Sequence, residues 1–286
     1  MKKIKYFIEY TFISLLFLIC KFLGYEKGSN LGEKIGKKVG PLFRNKKIIL
    51  ENLNNAKINE KNFDIKNLIN DMWGNYGRIL CEYPFISSLS DTNNNKYLKV
   101  NGKEVLERLK KENKKAVFIS GHFNNFELMA MQISKQGIDL AAIYRPLNNI
   151  FLNKKMENIR KKFICKNQIK KGIAGTREII KFIKNGYSIA LMIDQRVSEG
   201  IESKFFNKKA FTTTIPAQLH LKYGLEIVPV YIERKNKHYF TVYFYEPLSF
   251  DNNKDQIYIT NKLNNVLENL ILRNPSQWIW THDRWK

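Results

Sequence analysis

Cysteine is scarce in this 286-residue sequence, and the few cysteines that occur lie far apart. Three are present, Cys20, Cys81 and Cys165, and no Cys-x-x-Cys pair occurs. An odd number of dispersed cysteines argues against a disulfide framework or a zinc site and fits a reducing compartment. The four histidines are dispersed as well, and the sequence has neither a His-Glu-x-x-His motif nor a phosphate-binding Gly-x-x-x-x-Gly-Lys loop. We therefore predict no metal centre and no cofactor.

Acidic residues are also in short supply. The chain has 26 aspartates and glutamates against 49 lysines and arginines, which gives a formal net charge of +23. Such a charge favours polyanionic partners: nucleic acid, anionic lipid or an acidic protein. The basic residues are spread along the chain, with no compact basic arm, zinc-finger spacing or RNA-recognition aromatics, so we predict no nucleic-acid partner. The hydrophobic content of 44% indicates a globular protein.

Long hydrophobic runs are absent except near the N-terminus, in residues 2–24. The apolar core of this segment, Thr11–Cys20, is bracketed by Glu9 and Lys21 and is short for a full span, which needs about 20 residues. A short span, a helix lying in the membrane interface and a cleaved signal peptide are the alternatives. No small-x-small cleavage site follows, so we predict a retained anchor helix over residues 1–24 and a single domain over residues 25–286. Lysines on both sides leave its orientation open.

After the anchor, helical patterns, among them a core helix over Asn67–Tyr83, extend to a polar loop at Ser90–Asn95. Short apolar runs then alternate with further helical patterns, and Glu199–Thr214 is interpreted as a loop. The predicted strands are Tyr97–Val100, Val117–Ile119, Ile138–Tyr144, Ser188–Ile193, Ile227–Ile232 and Tyr239–Tyr245. Alternation of strand and helix at this spacing predicts an α/β fold with a mainly parallel central sheet flanked by helices.

The stretch Lys114–Ala130 is predicted to fold as a buried strand, a tight turn at Gly121 and a helix. His122 then lies in the turn and Glu127 in the first helical turn. Five residues on a continuous helix are rotated by roughly 140°, so these two side chains meet only if the chain bends between them. A histidine held by a carboxylate can act as a general base. The alternative is an incidental surface histidine and a glutamate that suits the helix dipole.

Polar side chains follow three of the predicted strands. His122, Arg145 and Asp194 each lie at or just beyond the end of a predicted strand, and Gln195 and Arg196 follow Asp194. Because parallel strands in open α/β sheets place chemistry at their carboxyl ends, this convergence predicts a site at one sheet edge.

The tail Trp278–Lys286 is aromatic and basic. Its tryptophans suit a membrane interface, where amphipathic rings are favoured. We interpret His282 as a surface or helix-end histidine.

The segment GHFNNFE resembles the HxxxxE motif of the bacterial lipid A biosynthesis acyltransferases, which belong to the lysophospholipid acyltransferase superfamily. The other matching segments are YRPLNN at 144–149, DQR at 194–196, FTTTIPAQL at 211–219 and the C-terminal segment NPSQWIWTHDRWK. Arg160 lies one helix beyond the YRPLNN segment, where the family carries a further arginine. Ile215 departs from the family, which often has glycine after the threonine run.

This resemblance implies O-acyl transfer from an acyl carrier protein thioester to a hydroxyl of a lipid A precursor, without a covalent enzyme intermediate. His122 would be the general base, and Glu127 would orient its imidazole as the aspartate does in a catalytic triad. The further candidates, for binding substrate or the oxyanion, are Arg145, Arg160, Asn125, Asp194 and Gln195.

The resemblance also implies partners and a location. Acyl carrier protein is acidic, so it suits the basic chain, as do anionic membrane lipids. The expected location is the inner membrane, with the catalytic domain on the cytoplasmic face. The alternatives are acylation of a glycerolipid, whose enzymes usually carry HxxxxD, acylation of another glycolipid, and a non-catalytic binder of lipid or carrier protein.

Overall fold

The computed structural model describes residues 1–90, 96–251 and 253–286, and the predicted loop at Ser90–Asn95 lies almost wholly outside them. The helices in these ranges are α1 Lys2–Leu23, α2 Tyr25–Val39, α3 Lys46–Asn55, α4 Ile65–Glu82, α5 Ile86–Leu89, α6 Lys103–Lys111, α7 Glu127–Lys135, α8 Ile150–Phe163, α9 Ile173–Lys184, α10 Ile215–Tyr223 and α11 Gln256–Arg273. The strands are β1 Leu98–Asn101, β2 Ala116–Ser120, β3 Leu140–Tyr144, β4 Asn167–Lys170, β5 Ser188–Met192, β6 Ile201–Phe205, β7 Lys208–Thr212, β8 Glu226–Lys235 and β9 Tyr239–Phe244.

Seven strands form one sheet in the order β1-β9-β8-β2-β5-β3-β4. Every neighbouring pair is parallel except β8 and β9, which form an antiparallel hairpin. The predicted α/β fold with a mainly parallel sheet flanked by helices is therefore confirmed. Strand β2 is central and buried along its whole length because helices cover both faces of the sheet.

Three strands, β4, β6 and β7, are absent from the sequence-based prediction. The segment after Glu199, interpreted as a loop, contains the antiparallel hairpin β6–β7. The edge strand β4, NQIK, has no apolar run that would reveal it in the sequence.

Helix α1 has 22 residues and a mean hydropathy of 1.7 over its most apolar stretch, so it is long and apolar enough to cross a membrane. It also packs against the rest of the chain. Phe17 is buried and stacks on the ring of Tyr83, with centroids 6.5 Å apart. The amide of Asn149, which caps α8, donates to the Tyr6 carbonyl at 2.8 Å and to Glu9 at 3.0 Å. The helix is therefore seated on the elements that build the site.

Helices α2 and α4 pack closely through glycines. A Cβ atom on Gly77 would lie 1.9 Å from the carbonyl oxygen of Gly32, and one on Gly36 would lie 2.2 Å from the Trp73 carbonyl. The two backbones can approach this closely only because these positions lack side chains. The contact fixes α4, which supplies residues beside the site.

The aromatic tail is buried, in contrast to the predicted interface position. Trp278 and Trp280 are 2% and 0% exposed. The amide of Asn52 donates to the Trp280 carbonyl at 2.8 Å, and the Arg284 guanidinium donates to the hydroxyl of Thr212 at 2.6 Å. The tail is thus part of the core beneath the site.

Candidate active site

The turn after β2 carries His122 to the carboxyl edge of the sheet. Its bend is local: the Phe123 amide donates to the Gly121 carbonyl at 2.8 Å, and Asn124 has a positive φ of 42°. A short amide side chain tolerates this left-handed conformation. Helix α7 then begins at Glu127, whose carboxylate lies at the positive end of the helix dipole.

His122 is held by Asp194, which follows the neighbouring strand β5. The imidazole Nδ1 lies 2.8 Å from Asp194 Oδ1, and the His122 backbone amide donates to Oδ2 at 2.7 Å. The indole of Trp278 also donates to Oδ2, at 2.8 Å. Because a carboxylate only accepts, Nδ1 carries the proton, and Nε2 is left as the basic nitrogen.

Electrostatics agree with this assignment. Burial alone would lower the pKa of His122, but the attraction of Asp194 and their hydrogen bond outweigh burial and raise that pKa above its ordinary value. Burial opposes ionisation of Asp194, yet His122 and the Trp278 indole together lower the pKa of Asp194. The Asp194 side chain is fully buried, whereas the His122 side chain is 23% exposed, so the imidazole is partly accessible.

Glu127 occupies a second network beside His122. The Nε and Nη2 atoms of Arg160 donate to Glu127 Oε1 at 2.8 and 2.6 Å, and the Tyr83 hydroxyl donates to the same oxygen. The side chain that hydrogen-bonds to the His122 ring is therefore that of Asp194, whereas Glu127 bonds to Arg160 and Tyr83. The physical reason is that β2 and β5 are neighbours, so the residues that follow them lie side by side.

Arg160 leaves one nitrogen free for a ligand. Among the described residues, its buried Nη1 has no hydrogen-bond partner. Burial opposes its charge, but Glu127 and Tyr83 outweigh burial and raise the pKa of Arg160, so the guanidinium stays charged. The guanidinium carbon Cζ of Arg160 lies 5.7 Å from the ring centroid of Tyr144, at the end of β3. The arrangement presents a fixed cation that can receive negative charge.

The other candidates lie around these two networks. Asn125 is fully buried and donates to Glu82 at 3.1 Å, and its Oδ1 has no partner within the described part of the chain. Gln195 is half-buried next to Asp194. Arg145 is exposed at the end of β3. Across residues 1–90, 96–251 and 253–286, no group of three metal-ligating side chains comes together.

Sequence reasoning missed three residues of the site. Tyr83 and Trp278 were interpreted only as parts of a core helix and an interface tail, yet each donates to a site carboxylate. His282, interpreted as a surface or helix-end residue, is half-buried, and its Nε2 accepts the backbone N–H of Arg196 at 3.1 Å. The one available signal was the density of tryptophan and histidine in the tail.

Comparison with known proteins gives two findings. The family model described as bacterial lipid A biosynthesis acyltransferase matches residues 1–286. A curated protein of Shigella flexneri, lipid A biosynthesis acyltransferase 2, is 25% identical over 186 residues, which are 63% of this chain and 58% of that protein. The chain thus spans somewhat more than half the length of this relative.

Proposed function

Because the chain belongs to the bacterial lipid A biosynthesis acyltransferase family, we propose that it transfers a fatty acyl chain to a hydroxyl of a lipid A precursor. The observation that carries the proposal is the His122–Asp194 pair at the carboxyl edge of the sheet. An imidazole with Nδ1–H fixed on a buried carboxylate and Nε2 accessible is arranged for general-base catalysis.

In the proposed reaction, Nε2 of His122 removes the proton of the acceptor hydroxyl as its oxygen attacks the carbonyl carbon of a thioester. Asp194 stabilises the imidazolium that forms and fixes its orientation. When the tetrahedral intermediate collapses, the carbon–sulfur bond breaks and the imidazolium gives its proton to the leaving thiolate, which departs as the thiol. The acceptor is the nucleophile, so no covalent enzyme intermediate is needed.

Arg160 is proposed to bind the negative charge, either the oxyanion that develops on the carbonyl or a phosphate of the acceptor. Its unpartnered Nη1 supports this role, because a fixed and desolvated donor is most effective where charge develops. Glu127 then acts through Arg160: two guanidinium nitrogens and the Tyr83 hydroxyl converge on one oxygen, which holds the cation in place. Arg145, Asn125 and Gln195 are proposed to contact the acceptor.

The proposed donor is an acyl carrier protein thioester. The net charge of +23 supports an acidic protein partner and anionic membrane lipids. The proposed location is the inner membrane, with the catalytic domain on the cytoplasmic face; helix α1 supports the association with a membrane.

The test incubates membranes containing the protein with a mixed pool of acyl carrier protein thioesters and a Kdo-bearing tetra-acylated lipid A precursor. We expect mass spectrometry to detect the gain of one acyl group. His122→Ala should lower turnover by about 10²–10⁴, since it removes the general base.

The matched control is His220→Ala, because His220 lies on α10 and its ring bonds to the Leu225 carbonyl at 2.9 Å, away from both networks. It should retain near-normal turnover. A folded His122→Ala variant that acylates at the normal rate would refute the mechanism. Acylation of glycerol phosphate instead of the lipid A precursor would refute the proposed acceptor.

A further inference from the structure

The turn between α2 and α3 exposes two large apolar side chains next to each other. Leu42 and Phe43 are 82% and 76% exposed, among the highest values for large apolar residues outside α1. We call Leu42–Lys47 the apolar-basic tip. Adjacent exposed apolar side chains mark an interaction surface more often than isolated ones do.

The tip is held in place by its surroundings. A Cβ on Gly40 would lie 2.4 Å from the ring of Trp73, so the chain is pressed against α4 just before the tip. The Phe43 amide donates to the Gly40 carbonyl at 2.9 Å, and Asn45 caps α3 by accepting the Lys47 amide at 2.8 Å. Leu42 and Phe43 are therefore exposed by a defined backbone conformation.

Positive charge surrounds these two side chains. Residues 34–50 contain six basic residues and no acidic one. Arg44, Lys46 and Lys47 are exposed within the tip, and the Lys47 ammonium has a loose surface contact of 3.8 Å with Glu51. An apolar pair with a basic collar matches the interface of a bilayer that carries anionic headgroups.

The tip lies beside the active site. Tyr76, one turn beyond Trp73 on α4, contacts the Trp73 ring at a centroid distance of 5.9 Å. Helix α4 continues from Tyr76 to Tyr83, which follows the helix directly and donates to Glu127. On the Glu127 side of the site, Tyr83 is covered by Phe17 of α1. Helix α1 therefore packs on Tyr83, and the tip packs on α4, the helix that leads to Tyr83.

We propose that the apolar-basic tip is a second bilayer contact, with Leu42 and Phe43 in the interfacial region and Arg44, Lys46 and Lys47 on anionic headgroups. This contact would set the distance of the site from the membrane surface, so that an acceptor lipid is reached without leaving the bilayer. The inference takes from the proposed function only that the acceptor is a membrane lipid.

The test measures depth in the full-length protein. Phe43→Cys is labelled with an environment-sensitive thiol fluorophore; the three native cysteines are buried, so labelling is confined to the new site. The protein is placed in vesicles of zwitterionic and anionic phospholipid, with and without brominated acyl chains. We expect a blue-shifted emission at position 43 and quenching at least about twofold stronger than at the control position.

The matched control is Leu221→Cys, 50% exposed on α10. Helix α10 leads into the first residue of β8, which runs parallel to β2, so Leu221 lies near the opposite edge of the sheet. Equal quenching at positions 43 and 221 would overturn the proposal. A blue shift that is absent in vesicles, but appears in detergent when a soluble acidic carrier protein is added, would also overturn the proposal. The tip would then bind a protein and not a bilayer.

A pair of charge-reversing substitutions tests the role of the basic residues in the tip. Lys46→Glu with Lys47→Glu should remove the preference of position 43 for anionic over zwitterionic vesicles, and Lys110→Glu with Lys111→Glu on α6 should leave it intact. If both double variants lose the preference for anionic vesicles, the effect of charge is non-specific, and the proposed contact of the tip's basic residues with anionic headgroups is overturned. None of these measurements needs turnover, so their failure is separate from failure of the acyl-transfer proposal.

Discussion

The two oxygens of Asp194 have different tasks. Oδ1 faces the His122 ring, while Oδ2 accepts the His122 amide and the Trp278 indole. The two donors on Oδ2 fix the orientation of the carboxylate, so that Oδ1 is held facing the His122 ring. A buried carboxylate needs such donors, because burial alone would raise its pKa and neutralise it.

Replacing Asp194 should change both the rate and its pH dependence. Asp194→Asn presents an amide to Nδ1 and favours the tautomer with the proton on Nε2, so we expect turnover to fall by about 10²–10⁴. The base must be neutral, and Asp194 raises the pKa of His122, so activity in the parent is lost as pH falls through that raised value. Without the carboxylate the pKa falls, and the acid limb of kcat/KM should move to lower pH.

Trp278→Phe provides the comparison. It keeps the carboxylate on Nδ1 and removes one donor from Oδ2, so kcat should fall while the acid limb does not move to lower pH. If the acid limb of Asp194→Asn stays where it is in the parent, His122 is not the group that titrates.

Much of this site could be inferred from sequence, and the rest depended on strand order. His122 and Asp194 were expected at one edge because each follows an apolar run. Their direct pairing could not be inferred, because β3 lies between β2 and β5 in the sequence but outside them in the sheet. Tyr83 and Trp278 have no motif of their own, and only tertiary packing brings them to the carboxylates.

At the level of elements, the glycine contact between α2 and α4 positions the wall of the site. Helix α4 carries Tyr76, and Tyr83 follows directly after it, so the spacing of the helices sets the position of both. The apolar period of α4 predicted a core helix, but not that Gly32 and Gly77 would be in backbone contact.

A methyl group at this contact should be costly. Gly77→Ala places its Cβ against the Gly32 carbonyl, so the helices must separate, and we expect a loss of about 1–3 kcal/mol in the free energy of unfolding. That corresponds to a fall in Tm of several degrees, about 2–4 °C per kcal/mol for a chain of this size, measured by thermal unfolding in detergent.

Gly74→Ala on the same helix is the control. The atoms nearest its Cβ would be side-chain carbons of Lys37 and Glu33, at 2.8 and 3.0 Å, which can move more easily than backbone. Alanine has a higher helix propensity than glycine, and this gain should offset the cost of moving the Lys37 and Glu33 side chains. The Tm should therefore stay close to that of the parent. Equal Tm values for the two variants would contradict the packing argument.

For the whole molecule, the excess of 49 basic over 26 acidic residues creates a long-range field. The charges are spread over the chain, so the field would draw in an acidic partner from several directions without specifying its docking site. The fold class followed from apolar periodicity, whereas this field followed from composition alone.

The field predicts a salt-dependent reaction. With an acyl carrier protein donor, kcat/KM should fall about tenfold or more as ionic strength rises from about 0.01 M to about 0.15 M, because the screening length shortens from about 30 to about 8 Å. With an uncharged pantetheine thioester as donor, kcat/KM should depend much less on ionic strength in the same assay. Parallel salt curves for the two donors would rule out electrostatic capture of the carrier.

The buried tail also dictates an order of events during synthesis. The ribosome produces α1 first, His122 and Asp194 later, and Trp278 later still. Until the segment around Trp278 leaves the exit tunnel, Asp194 lacks its indole donor and the core beneath the His122–Asp194 pair is open. Helix α1, the proposed anchor, is therefore available to a membrane before the candidate site is complete. The candidate site is complete only when the segment around Trp278 folds back beneath the sheet.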